Sequence, residues 1–240
     1  MWKSLSLLLI TFLIGCGTAR PLMPVPASLE ETTSVLTVQR HGWGIGPKPL
    51  SFGEWDVVEY HKDKRPRERR RTFGIEPVTY SQTNGFAAYS FVLASNGRDA
   101  WECYCEHRRT HQDIGVGPID SSFEVALTYD ESLDCELQPV GDEDNVWQLR
   151  VIGSLALNGE GYTGTLTDGS RRVSLNASHG LAKMNLPGPP TGYIFEREGV
   201  KVASAELLMP GFVRIGEDAG EDRDVIATAA AALLMQPGEM

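Results

Sequence analysis

Val225-Ile226-Ala227-Thr228-Ala229-Ala230-Ala231-Ala232-Leu233-Leu234-Met235 is the stretch on which the fold turns. It is rich in strong helix formers and carries no charge on any face. A helix that is apolar all round has to be buried all round. Its helical rise of about 16 Å falls well short of a hydrocarbon core of roughly 30 Å, so it is not a membrane span. The rest of the chain must therefore wrap it, and the segments before it are short and alternating, which makes a curved or closed sheet the wrapper.

From Val35 onward the recurring unit is a strand closed by Gly, Asn, Asp or Pro. Residues 34–40 and 54–60 are the first two. Residues 86–94 and 100–107 flank Asn96-Gly97, a turn dipeptide between apolar runs that predicts a hairpin. Phe123, Val125, Leu127 and Tyr129 share one face, and Leu133, Cys135 and Leu137 repeat the pattern, so a turn is expected at Asp130-Glu131-Ser132. Residues 146–157, 161–167, 171–176, 192–197, 200–208 and 211–215 complete the series, with tight turns at Asp168-Gly169 and Glu198-Gly199. The fold class is mainly β: an antiparallel sheet or closed barrel of about twelve strands around a buried C-terminal apolar helix at 225–235, all in one domain over residues 34–236. Asp222 or Asp224 is the expected N-cap.

The hairpin at 193–202, the strand Gly211-Phe212-Val213-Arg214-Ile215 and the helix resemble, in order and composition, the last third of the tubby C-terminal and scramblase-like domains. That resemblance implies a twelve-stranded barrel closed around a hydrophobic helix. No functional motif of those domains is matched, so it implies no binding residues.

At the other end, Lys3 followed by an apolar run from Leu5 to Ile14 has the form of an export signal. The run ends at Leu13-Ile14-Gly15-Cys16, which resembles the lipobox of bacterial lipoproteins at all four positions. The resemblance implies cleavage after residue 15, diacylglyceryl transfer to the sulfur of Cys16 and acylation of the new amino terminus. Such a chain is anchored rather than spanning, because two or three acyl chains hold a protein on a bilayer. Residues 16–33 read as a lipidated tether stiffened by three prolines. Gly17 in place of an aspartate favours the periplasmic side of the outer membrane by the sorting preference of that family.

Removing residues 1–15 takes away Lys3 alone and leaves 21 basic against 32 acidic residues, a balance of −11. An acidic exported protein is a poor candidate for nucleic acid. Against that background Lys62, Lys64, Arg65, Arg67, Arg69, Arg70 and Arg71, with Asp63 and Glu68, net +5. They read either as a contact for anionic lipid headgroups or as a solvated hairpin loop.

Cys103, Cys105 and Cys135 all fall on the expected core face, and export favours one disulfide with one cysteine left over. Cys103 and Cys105 are poorly spaced to bond each other, so Cys135 is expected to pair with one of them. A simple meander through a turn at 130–132 would set the two cysteine strands about 9.5 Å apart, beyond reach. A metal reading of the three cysteines with His107 and His111 lacks the C-x₂₋₄-C spacing of zinc knuckles. His41, His61 and His179 have no local partner pattern, and Trp43, Trp55, Trp101 and Trp147 read as barrel packing. The glycine-rich loop at 42–47 lacks the Lys-Ser/Thr of a phosphate cradle, Asp142-Glu143-Asp144 lacks the frame of a calcium loop, and the short motifs of serine and zinc hydrolases are absent. No catalytic, cofactor or metal residue is assigned. The expectation is a non-enzymatic binding or structural protein of the cell envelope, partnered through Cys16 with the membrane and further with anionic headgroups or another envelope protein. The alternative is an envelope hydrolase with dispersed catalytic residues.

Overall fold

The computed structural model describes residues 21–41, 49–62, 67–75, 77–117, 123–156, 161–181, 184–185 and 189–236. The expectations placed on Cys16, Trp43, Lys64 and Arg65 lie outside these residues. A short helix α1 (Ala27–Thr32) leads into β1 (Leu36–Thr37), β2 (Gln39–Arg40), β3 (Leu50–Phe52), β4 (Trp55–Lys62) and β5 (Arg67–Ile75). Three long strands follow: β6 (Val78–Ser95), β7 (Arg98–Val116) and β8 (Phe123–Pro139). Then come β9 (Trp147–Ala156), β10 (Thr163–Thr167), β11 (Arg172–Ser178), the two-residue strands β12 (Gly180–Leu181) and β13 (Met184–Asn185), β14 (Gly192–Arg197), β15 (Val200–Glu206) and β16 (Phe212–Ile215). A 3₁₀ turn at Glu217–Asp222 enters the C-terminal helix α2 (Arg223–Met235).

The main sheet is antiparallel and ordered β1-β16-β15-β14-β11-β10-β9-β8-β7-β6-β4-β3-β2. Its two ends, β1 and β2, are halves of one run interrupted at Val38, whose N–H donates to the Gly211 carbonyl at 3.0 Å. The run from Leu36 to Arg40 thus pairs with β16 on one side and β3 on the other, drawing the sheet into a barrel of twelve staves among the described residues. The hairpin at Asn96-Gly97 forms as expected, with both residues at positive φ, and Glu198-Gly199 closes a second in the same way.

Helix α2 is the filling. Every residue from Val225 to Met235 is at most 5% exposed, as an all-round apolar helix requires. Its four consecutive alanines let the strands press close, and Thr228 is tolerated inside because its hydroxyl donates to the Asp224 carbonyl at 2.8 Å. At its first turn Trp55 donates to Asp224 at 2.9 Å. Asp222 holds the N-cap position without capping by its side chain. Its carboxylate instead receives Arg171 at 2.8 Å and Arg197 at 2.9 Å. At its far end the orphan carbonyls of Ala232 and Leu234 accept from the Tyr89 hydroxyl at 2.7 Å and the Arg40 guanidinium at 3.1 Å.

Three expectations need correction. The turn at Asp130-Glu131-Ser132 does not form, and β8 runs unbroken through it. Tyr129, Glu131 and Leu133 are in one phase, so the alternation never resets, and Asp130 and Glu131 find side-chain partners on the neighbouring strands. A bulge lies farther along, where Gln112 pairs with Thr128 and Asp113 with Ala126, so Leu127 is extra and Val125 shifts to the outer face. Second, the basic run is not a hairpin loop where it is described: Arg67 to Arg71 open β5, paired residue for residue with β6. Third, the expected tether is docked from Leu22 onward. The Leu22 and Met23 amides donate to the buried Glu206 carboxylate at 3.0 and 3.1 Å, and Met23 and Leu29 are buried in the barrel wall.

Strands of 17 to 19 residues are far longer than a 13-residue helix needs, so β6, β7 and β8 run on past the end of α2. With β5 along the free stretch of β6, they form a projecting sheet whose inner face continues the barrel wall.

Candidate functional site

On the inner face just beyond α2 the side chains turn from apolar to polar. Register alone sets the arrangement. Arg109 faces Glu131, His111 faces Tyr129, and Ser81 faces Asp113 across neighbouring strands. Glu131 is the centre: His107 Nε2 lies 2.5 Å from its carboxylate, the Tyr162 hydroxyl donates to it at 3.3 Å, and the side-chain amide of Gln236, one residue past α2, donates to it as well. Three donors, from β7, a loop and the helix end, thus converge on the carboxylate of a side chain that is 13% exposed.

Tyr162 reaches this point because β9 has a glycine beneath it. A Cβ at Gly153 would stand 2.0 Å from the tyrosine ring, so no other residue fits. The His179 ring lies tilted beside the same ring at 5.9 Å between centroids. Next to this group His111 pairs with Asp113 at 3.1 Å, and Asp113 accepts from Ser81 at 3.4 Å, which in turn accepts from Arg70 at 3.2 Å. Arg109 lies over Gly85 and reaches Glu68 at 3.4 Å.

Chemically, the centre is a satisfied hydrogen-bond network. Burial pushes the Tyr162 phenol up, and the adjacent Glu131 charge pushes it further, so this hydroxyl stays protonated and serves as a donor. Burial raises Tyr193 likewise, again with Glu131 contributing. His107 and Glu131 form an oriented imidazole–carboxylate pair, the second half of a nucleophile–base–orienter set. The first half is missing among the described contacts: the hydroxyl that reaches the pair is this protonated phenol.

The residues singled out from sequence are scattered relative to this centre. Cys105 is bonded to Cys135 directly across β7 and β8, which pair without an intervening strand, and this resolves the choice left open between Cys103 and Cys105. Cys103 is the leftover thiol, buried 3.6 Å from the Cys105 sulfur, and burial pushes it far up from the usual thiol range. The three sulfurs are the one group among the described residues with metal-ligand spacing, but two of them are spent on the disulfide, and His107 and His111 point to carboxylates. Strand alternation splits the basic run: Arg69 and Arg71 point outward, and Arg70 inward to Ser81. Lys62 ends β4, and Arg67 opens β5. His41 bonds Ser51 at 2.8 Å on the surface, His61 is exposed, and Trp55 and Trp147 are core, each under an arginine.

The sequence reading missed His107, Glu131, Tyr162 and Gln236 as a group. The available signal was phase, because Glu131 stands at a core position between Tyr129 and Leu133. In comparisons with known proteins, no family model, no curated protein and no solved structure matches this chain.

Proposed function

We propose that the chain is a lipid-anchored protein of the bacterial cell envelope, held through acyl chains on Cys16 at the periplasmic side of the outer membrane, and that its barrel acts by binding rather than by catalysis. The observation that carries the second half is the filling. Helix α2 occupies the barrel, and the oriented pair His107–Glu131 beyond it is engaged by Tyr162 and Gln236. An enzyme would be expected to leave such a pair open to substrate. The first half rests on the four lipobox positions, and a Cys105–Cys135 disulfide suits an oxidising compartment. The same reading sets the domain beside the tubby C-terminal and scramblase-like barrels, supported by twelve staves around a C-terminal helix.

Intact-mass analysis of the protein recovered from its native envelope tests the anchor. The expected result is loss of residues 1–15 with acyl mass on Cys16, and Cys16→Ser blocks maturation. A mature wild-type form that is soluble and unmodified overturns the reading.

A further inference from the structure

The outer face of the projecting sheet is the reverse of its polar inner face. Phe73, Tyr80, Ile114 and Val125 form a single cross-strand row on β5 to β8, and Val78 and Val116 form part of the next row toward the tip. Phe73 is 55% exposed, Val78 48%, Val116 51% and Val125 41%, so this is a contiguous apolar patch facing solvent. The next two rows inward begin on β5 with the exposed Arg71 and Arg69, and their one acid, Asp130, stands on the far strand, where Ser154 donates to it. An apolar tip with arginines behind it, on a chain of net charge −10, is charge-matched to an anionic surface.

Chain direction shows which surface. Followed toward Glu206, β15 runs the same way along the barrel as β8 followed back to Phe123. Leu22, bound to Glu206 and 47% exposed, therefore emerges at the end of the barrel that carries the tip. Cys16 is six residues upstream, a reach of about 20 Å at full extension. A bilayer holding acyl chains on Cys16 must lie at that same end.

We infer that the tip is a membrane-docking face: Phe73, Val78, Val116 and Val125 enter the interfacial region of an anionic phospholipid bilayer while Arg69 and Arg71 engage its headgroups. The orientation argument rests on the lipid anchor proposed above, but the face itself is testable without it.

The mature chain from residue 16, carrying Cys16→Ser and hence no lipid, is cosedimented with phosphatidylglycerol–phosphatidylcholine vesicles and with phosphatidylcholine alone. Binding is expected on the anionic vesicles and should weaken steeply with salt. The pair Arg69→Ser and Arg71→Ser should lower the affinity about thirtyfold, each arginine near an anionic surface being worth about 1 kcal/mol. Phe73→Ser should weaken binding at every salt concentration with the melting temperature unchanged. Failure of the wild type to bind, or binding by both variants at the wild-type level, overturns the docking face. Self-association abolished by Phe73→Ser, without vesicle binding, also overturns it and assigns the tip to a second copy. Acyl mass on Cys16 without vesicle binding leaves the anchor standing and removes the docking face. Binding without acyl mass does the reverse.

Discussion

Along β6, β7 and β8 the same inward-pointing positions carry two chemistries. Beside α2 they are Tyr89, Phe91, Leu133, Cys135 and Leu137, all buried. A few residues farther along the same strands they are Ser81, Thr83, His111, Asp113 and Glu131. Strand period is unchanged between the two, so backbone geometry does not account for the difference. What changes is the filling. Within reach of α2 the inner face meets methyl groups and must be apolar. Past Met235 it meets the carbonyl end of the helix, where Gln236 completes a polar network and Ser81, Thr83 and Asp113 are buried. Fold stability should therefore reside mainly in the first half, and the second should tolerate change outside the hydrogen bonds that converge on Glu131.

The sharpest break of that contrast is Ala230→Asp. Ala230 is 1% exposed in the middle of α2, where a carboxylate would have no partner. An unpaired buried charge costs more than the roughly 5 to 15 kcal/mol that holds a domain together, unless it takes up a proton. The variant should fail to accumulate, whereas Thr72→Asp on the exposed part of β5 should express normally; comparing the soluble yields of the two checks this.

Alkali tests both halves at once. Burial raises the phenols of Tyr89, Tyr162 and Tyr193, and it pushes Tyr60 up to about 12. A raised folded-state value means that the neutral form is favoured by folding. This contribution is whole below the unfolded value of about 10 and is lost as pH climbs through the folded values. Unfolding free energy from urea titrations should stay free of tyrosine effects up to about pH 10 and then decline toward pH 12. Tyrosinate absorbance that develops fully near pH 10, before any loss of structure, would refute the burial of these rings.

Glu131→Gln is expected to have an intermediate effect. The amide keeps an acceptor but loses the charge that gathers His107, Tyr162 and Gln236, and one donor is left without a partner. A loss of about 1 to 3 kcal/mol follows, the usual cost of an unsatisfied buried group. In a domain of this size that lowers the melting temperature by about 2 to 4 °C per kcal/mol. No change would mean that the network is ornamental to the fold.

How much of this was legible follows from range. The helix, most of the strand series and the Asn96-Gly97 hairpin are written in local pattern and stand in the structure, whereas the two strands expected on either side of residue 130 are one and the strand Arg67–Ile75 is not in that series. A disulfide on Cys135 was also within reach, but its partner depended on whether β8 broke at residue 130. Turn residues there suggested that it did. Glu131 and Ser132 sit in the strand because Arg109 and Arg108, more than twenty residues earlier in the chain, face them across the ladder. The polar centre was out of reach for the same reason: Glu131 meets Gln236 over 105 residues of sequence, and no window contains both. Met23 and Leu29 read as tether in the sequence because prolines and a lack of period describe the segment alone, not the distant Glu206 carboxylate that takes up the Leu22 and Met23 amides.

The smallest effect separates the two halves most cleanly, because it uses one residue type twice. Phe91 and Phe73 lie on adjacent strands, but Phe91 is 2% exposed against α2 and Phe73 is 55% exposed at the tip. Truncating Phe91 to alanine removes a ring from a close-packed wall, and the cavity adds to the lost transfer energy, for a cost of about 3 to 5 kcal/mol. Phe73→Ala removes a ring that already touches water, opens no cavity and leaves the β5–β6 ladder intact, so its stability should stay within about 0.5 kcal/mol of wild type. Paired urea denaturation curves with equal slopes measure both on one scale. A Phe73→Ala loss as large as that of Phe91→Ala would show that the tip is part of the folding core. The apolar patch would then belong to the fold, and it would have no claim to a surface outside it.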